Sequence, residues 1–274
     1  MVDPVITPSQ VFSISKLIYN QRHTLQKWWK QLLVGCNLGK AQILVLGRSG
    51  VGKSVLTSYI HGEANSLEWL EPGISPDVEI KPISLGDWVK IVSIIPGQNS
   101  RERSHGLERH LLQNDLEGLI YVGDWGYTDL RDPNFEKQLI SDGYDTLEKI
   151  RQYHLEKEVE DFRKVVEQLK ISIHAGRGPK WLMIAITKYD LFKNNELDAE
   201  EYYKNPKGQF YSVLNDLFKN VGELNIDVQI CFVSSKIDEF TWNSKKYLPQ
   251  MTSSNEHREQ LKKFVVDLAL LTVK

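Results

Sequence analysis

The sequence predicts a three-layer α/β domain, with a mostly parallel six-stranded sheet, helices on both faces and ligand-binding loops at the carboxyl ends of the strands. Three observations carry this expectation. The apolar run Ile43-Leu-Val-Leu46 enters Gly47-Arg-Ser-Gly-Val-Gly-Lys-Ser54, a G-x-x-x-x-G-K-S loop whose following residues can start a helix. A later apolar run, 181–186, leads into Thr187-Lys-Tyr-Asp190. Another, 228–233, leads into Ser234-Ser-Lys236.

The elements follow in chain order. Residues 1–38 read as an amphipathic helical extension ahead of a domain spanning 40–274. Ser9 could cap its helix, and Val11, Ile14, Ile18, Leu25, Trp28, Trp29 and Leu32 form one stripe, with Lys16, His23, Lys27 and Lys30 opposite. No Asp or Glu occurs from Pro4 through Gly62. The helix could pack on its own domain, dock a partner protein or lie on an anionic membrane. Strands are expected at 42–47, 77–85, 88–95, 117–123, 180–186 and 228–233, the second and third forming an antiparallel pair joined by a turn at Gly86-Asp87. A helical insertion is expected at about 124–178, opening on the turn-rich segment Asp124-Trp-Gly-Tyr-Thr-Asp-Leu-Arg-Asp-Pro133. Within it, 145–173 reads as a long charged helix with Leu147, Ile150, Phe162, Val165, Val166 and Leu169 on one side. Its outer face is either simply solvated or a docking surface for a partner or a second copy. A breaker, His174-Ala-Gly-Arg-Gly-Pro179, returns the chain to the sheet, and 256–273 closes the domain as an amphipathic helix.

The glycine-rich loop carries the most chemistry. Gly47, Gly50 and Gly52 allow a tight turn that aims successive N–H groups and the positive end of the next helix at phosphates. The expected phosphate contacts run through Gly47, Ser49, Gly50, Val51, Gly52, Lys53, Ser54 and Val55. Lys53 would reach the β and γ phosphates, and the Ser54 hydroxyl would sit on Mg²⁺. In the later motifs, the Asp190 carboxylate can accept from N1–H and N2–H₂ of guanine, a donor pair adenine lacks. The Lys188 stem can lie along the base or ribose, and Thr187 completes the motif. Main-chain N–H groups of Ser234, Ser235 and Lys236 could meet guanine O6.

On these motifs the chain resembles Ras-like small GTPases and their relatives in the translation-factor-related superfamily of P-loop GTPases. The resemblance implies GTP/GDP and Mg²⁺ as cofactors. It also implies switch elements: Ser75 as the hydroxyl that joins Mg²⁺ and senses the γ-phosphate, Gly97 offering its N–H to that phosphate, and Gln98 orienting the attacking water, with Lys53 beside it as the catalytic pair. The sequence departs from the pattern at Ile94, where the family has an aspartate that holds a water on Mg²⁺. Asp124 is one substitute acid, or simply a strand-end residue. Two function classes stay open: a guanine-nucleotide switch that hydrolyses GTP slowly and acts on a partner through its switch regions or extra helices, and a pseudo-GTPase scaffold acting through those helices.

Composition bounds the rest. With 274 residues, 41% apolar and 26% charged, the chain can bury a sizeable core. A net charge of −2 gives no global attraction to nucleic acid. Cys36 and Cys231 are far apart, and no Cys/His cluster has metal spacing. These features, with no run of apolar residues long enough to span a membrane and no secretion pattern, lead to the expectation of a cytoplasmic protein.

Overall fold

A computed structural model describes residues 43–61, 79–85, 88–95, 111 and 116–273. The expected N-terminal helix, Ser75, Gly97 and Gln98 lie outside the described residues.

The chain runs β1 (Ile43–Leu46), α1 (Lys53–His61), β2 (Glu79–Leu85), β3 (Trp88–Ile94), β4 (Gly118–Gly123), α2 (Pro133–Ser141), α3 (Leu147–His174), β5 (Trp181–Ile186), α4 (Glu196–Lys204), α5 (Gln209–Val221), β6 (Asp227–Phe232), β7 (Phe240–Trp242), β8 (Lys245–Tyr247) and α6 (Ser254–Val273). Six strands form one sheet in the order β2-β3-β1-β4-β5-β6. β2 pairs antiparallel with β3, and every other pairing in that sheet is parallel. β7 and β8 make a separate hairpin.

Strand periodicity sorts the core into two layers. Ile43, Val45, Ile120, Val122, Met183 and Ala185 face one side, where Leu56 and Ile60 of α1 and Phe264, Leu268 and Leu271 of α6 cover them. Leu44, Leu46, Leu119, Tyr121, Leu182 and Ile184 face the other, under α2, α3, α4 and α5. Both faces are therefore covered, which explains why the central strands read as unbroken apolar runs.

The 28-residue α3 is a core element rather than an appendage. Its stripe of Ile150, Phe162, Val165, Val166 and Leu169 is buried, with Leu147 packed against the same layer. Phe162 stacks on Phe210 of α5 with ring centroids 4.5 Å apart. Thr146 caps its first turn by accepting from Lys149 N–H, and Asp132 caps α2, which has proline in its first turn.

Candidate functional site

β1 stops at Leu46, and the chain turns through 47–52 before α1 begins at Lys53. Gly47, Gly50 and Gly52 have φ of 138°, 83° and 89°, in the region glycine enters without strain. Space is as restrictive as φ. A Cβ on Gly47 would lie 2.3 Å from the Val122 carbonyl oxygen, and one on Gly50 would lie 2.1 Å from that of Asp129. The loop is thus pressed against the end of β4 and against the segment after it. Val51 and Val55 bury their side chains in the core, so what they can offer a ligand is main chain.

Lys53 is only 7% exposed. Its ammonium donates to the Gly47 carbonyl at 2.9 Å and the Arg48 carbonyl at 2.7 Å. The sequence places this cation on phosphates; the structure holds it on the loop's own carbonyls, at the centre of the turn. Arg48 points elsewhere. Its guanidinium donates to the His154 carbonyl of α3 at 3.0 Å, with His154 Nδ1 3.5 Å away.

The base motif is fastened to this loop. The Thr187 hydroxyl, just past β5, lies within donor distance of the Val51 carbonyl, 2.6 Å, and the Gly123 carbonyl, 3.0 Å. Lys188 follows in the left-handed region at φ 57° and starts the short 3₁₀ turn Tyr189–Leu191. Its ammonium donates to the Tyr127 carbonyl and, at 2.7 Å, to Asp129 Oδ2. Asp190 is 2% exposed. Its Oδ1 accepts from the Ser234 hydroxyl at 2.5 Å and its Oδ2 from Asp238 N–H at 3.1 Å. Burial raises its carboxyl pKa, and these two donors oppose the rise. Ser234 therefore orients Asp190 with its side chain, a contact the sequence reading did not include. Ser235 is buried, and Lys236 pairs with Asp238 at 2.6 Å. His257 of α6 meets the Ser234 carbonyl through Nε2 at 2.9 Å, which ties the closing helix to this loop.

A second group of ionisable side chains lies where β4, α3 and the phosphate loop meet. Glu158 Oε1 accepts from the Tyr203 hydroxyl at 2.7 Å and Oε2 from Asp124 N–H at 3.2 Å. Burial, with the Asp124 charge beside it, pushes the Glu158 carboxyl up to about 8. Burial and the positive charge of Arg48 push His154 down to about 3, so its ring is neutral. Asp124 Oδ1 accepts from Gly126 N–H at 3.2 Å and from the Thr128 hydroxyl at 3.0 Å. Asp124 thus folds the loop after β4 and lies beside Lys188, as the strand-end reading has it.

Ile94 is buried at the end of β3, 2% exposed, among Ile43 and Val45. Among the described residues no cluster of His, Cys, Asp and Glu is suited to a metal ion. Of the two expected metal ligands, Ser54 stands in the first turn of α1 and Ser75 lies outside the described residues. Sequence reasoning missed Asp129 and Glu158; polar residues crowd the segment just after β4 that holds Asp129, whereas Glu158 sits inside the charged helix α3.

No family model and no curated protein matches the sequence. Similar solved structures exist. The signal recognition particle receptor SRb-GTP/SRX complex from Chaetomium thermophilum gives a TM-score of 0.44 at 14% identity, over 72% of this chain and 94% of that one. The mammalian SRP receptor gives 0.42 at 15%, over 82% and 98%. Toc33 from Arabidopsis thaliana in complex with GDP and Mg²⁺ gives 0.45 at 14%, over 91% and 90%. At these scores and identities the likeness assigns no function, which has to come from the chain's own residues.

Proposed function

We propose that the chain is a guanine-nucleotide-binding switch that holds GTP or GDP with Mg²⁺, hydrolyses GTP slowly and passes its state to a partner protein. The observation that carries this reading is the Thr187 hydroxyl on the Val51 carbonyl at 2.6 Å. One short bond sets the spacing between a phosphate-type loop and a base-reading carboxylate.

The residues fit the nucleotide. Three left-handed glycines ahead of α1 free main-chain N–H groups for phosphate oxygens, with the helix N-terminus behind them. Lys53 adds a cation already centred in the turn. Asp190 has about four acceptor sites, of which Ser234 and Asp238 take two, leaving lone pairs for N1–H and N2–H₂ of guanine. Adenine offers no such donor pair.

The fit for Mg²⁺ is thinner. Ser54 supplies a hydroxyl, and Ile94 supplies an alkyl group where relatives of this motif set have a carboxylate. The ion, when bound, would neutralise charge between the β and γ phosphates. Arg48 is engaged by α3, so within this arrangement it brings no charge to the γ-phosphate. Hydrolysis is accordingly slow, about 10⁻⁴ per second as in unassisted Ras-like proteins, unless a partner completes the site. Ile94 also favours the second reading, a scaffold whose nucleotide is structural. Chromatography of nucleotide released from purified protein, before and after incubation, separates them. GTP converting to GDP supports the switch, unchanged nucleotide supports the scaffold, and adenine nucleotide or none rejects both.

A further inference from the structure

Lys188 stands between two unlike carboxylates. Its ammonium is on Asp129 Oδ2 at 2.7 Å, and Asp124 Oδ2 lies 3.9 Å away, within ion-pair range but beyond a hydrogen bond. Asp129 is exposed, 59% by its side chain, where an ion pair is weak and easily exchanged with water. Asp124 is 1% exposed. Its Oδ1 is satisfied by Gly126 and Thr128, while its Oδ2 is buried without a hydrogen-bond partner among the described residues. An orphaned buried carboxylate oxygen is unstable relative to one that has a donor. The Lys188 ammonium can supply that donor: a shift of roughly 1 Å would bring it to charge-assisted hydrogen-bond distance.

What Lys188 holds matters to the phosphate loop. Asp129 donates its N–H to the Gly50 carbonyl at 3.4 Å, and its own carbonyl fills the space beside Gly50. With Lys188 on Asp129 and Tyr127, the segment 127–129 is shut onto the phosphate loop. The other end of the segment is fixed separately. Trp125 has φ 49° and Gly126 φ 84°, and the Arg151 guanidinium of α3 sits 3.9 Å over the Trp125 ring and donates to the Trp125 carbonyl. Tyr127 is buried against Phe192 and Phe240, and the Thr128 hydroxyl donates to Asp124, so the lysine's hold matters at the exposed end of the segment, Asp129.

Resting on the guanine-nucleotide reading, we infer that Asp129 is a positioning residue for the nucleotide and Asp124 the alternate seat of the Lys188 ammonium. Base motif and phosphate loop are latched together when the lysine holds Asp129, and unlatched when it moves to Asp124. Asp129 touches no phosphate; it acts through Lys188 and Gly50.

The test uses the full chain loaded with a fluorescent GDP analogue, its release followed on addition of excess GDP, alongside melting of the nucleotide-free chain. Asp129→Ala should speed release about 5-fold, the upper end for an exposed pair, with the nucleotide-free melting temperature unchanged. Asp129→Glu should return release to within about 2-fold of wild type, since it keeps the charge that pairs the lysine. Asp124→Asn keeps an acceptor for Gly126 and Thr128 but removes the alternate seat, so it should slow release and partly reverse the Asp129→Ala effect in the double variant. Raising salt from about 0.05 to about 0.5 M should speed release from wild type and not from Asp129→Ala. Release from Asp129→Ala at the wild-type rate overturns the latch while leaving guanine-nucleotide binding intact. Faster release matched by a lower nucleotide-free melting temperature also overturns it, because Asp129 is then structural only. Wild-type protein that takes up no guanine nucleotide overturns both readings at once.

Discussion

At the residue scale, Asp190 is the proposed base reader, and Glu158 is a buried carboxyl whose pKa is raised. Asp190→Asn keeps an acceptor for Ser234 but turns an amide toward Asp238 N–H, so the loop 234–238 loosens whatever nucleotide is present. The informative quantity is therefore a ratio. GTP affinity should fall relative to xanthosine triphosphate by about 1.5–3 kcal/mol, the value of a hydrogen bond to a charged group, and a competition titration with an unchanged ratio rejects Asp190 as the base reader. Lys53→Ala should remove triphosphate binding, since two carbonyls now hold that cation in the turn where phosphate would arrive; equal affinity for both proteins counts against the phosphate-loop reading. For Glu158 the sign is set by a folded-state pKa near 8, above its ordinary 4.5. Its contribution to stability is complete below pH 4.5 and is lost as pH rises toward 8. His154, depressed from 6.5 to about 3, works oppositely, adding stability as pH rises to 6.5. Between 6.5 and 8 the Glu158 contribution remains, beside its buried neighbour Asp124, whose carboxyl pKa burial also raises. The share of Glu158 should lower stability there by at most about 1.4 kcal/mol per pH unit, and Glu158→Gln should reduce the slope by that share while lowering stability at pH 6 by about 1 kcal/mol through one misdirected hydrogen bond. Denaturant midpoints at four pH values measure both; an equal slope in the variant assigns the titration elsewhere.

At the element scale, the loops around the phosphate turn are more demanding than the helices. Gly50→Ala must place a Cβ 2.1 Å from a backbone oxygen at φ 83°, whereas Gly176 sits at φ 68° with nothing within 4 Å. Gly176→Ala should cost about 1 kcal/mol, the left-handed penalty alone, and Gly50→Ala about 2–3 kcal/mol more as the 127–129 segment is displaced. Similar melting temperatures for the two variants would mean that this segment yields freely. The same elements show what could be read from the chain. β1, β4 and β5 announce themselves as apolar runs because helices cover both faces, and α3 and α6 by stripes that reach the core. α4 and α5 escaped notice: α4 has no side-chain cap, and α5 starts from Gly208, which has no capping side chain. The β7–β8 hairpin turns through Asn243 and Ser244, both left-handed at φ 48° and 63°, so it uses a primed-turn geometry without the glycine that normally signals it. In α3 the periodicity gave the buried stripe but not Glu158, since a carboxylate in a charged helix reads as solvent-facing until its neighbours are known.

At the scale of the whole molecule, the sheet brings residues as far as 136 apart in the chain into contact at one site, and the ends of β1, β4, β5 and β6 meet there through Thr187, Asp190 and Ser234. That convergence has a thermodynamic consequence. A ligand bound only by the folded chain should raise its stability by about 2.7 kcal/mol at a hundredfold excess over Kd, and GTP should do so where ATP does not. The role of Mg²⁺ in that gain depends on Ile94. In wild type the side chain is buried among Ile43, Val45 and Ile120, and it contributes packing instead of charge. Metal removal with EDTA should therefore change the GTP-induced shift only slightly. Ile94→Asp exchanges these terms. Without nucleotide, a carboxylate in that apolar layer lowers stability, by several kcal/mol if it stays ionised, and the melting temperature falls with it. With GTP and Mg²⁺ the variant should gain more than wild type, because the cation gives the buried charge a partner, and EDTA should erase that extra gain. Scanning calorimetry of both proteins without nucleotide, with GTP and Mg²⁺, and with GTP and EDTA reads all six states. If EDTA already abolishes the wild-type shift, the metal is held firmly without a carboxylate at position 94, and the weak Mg²⁺ dependence expected here is wrong.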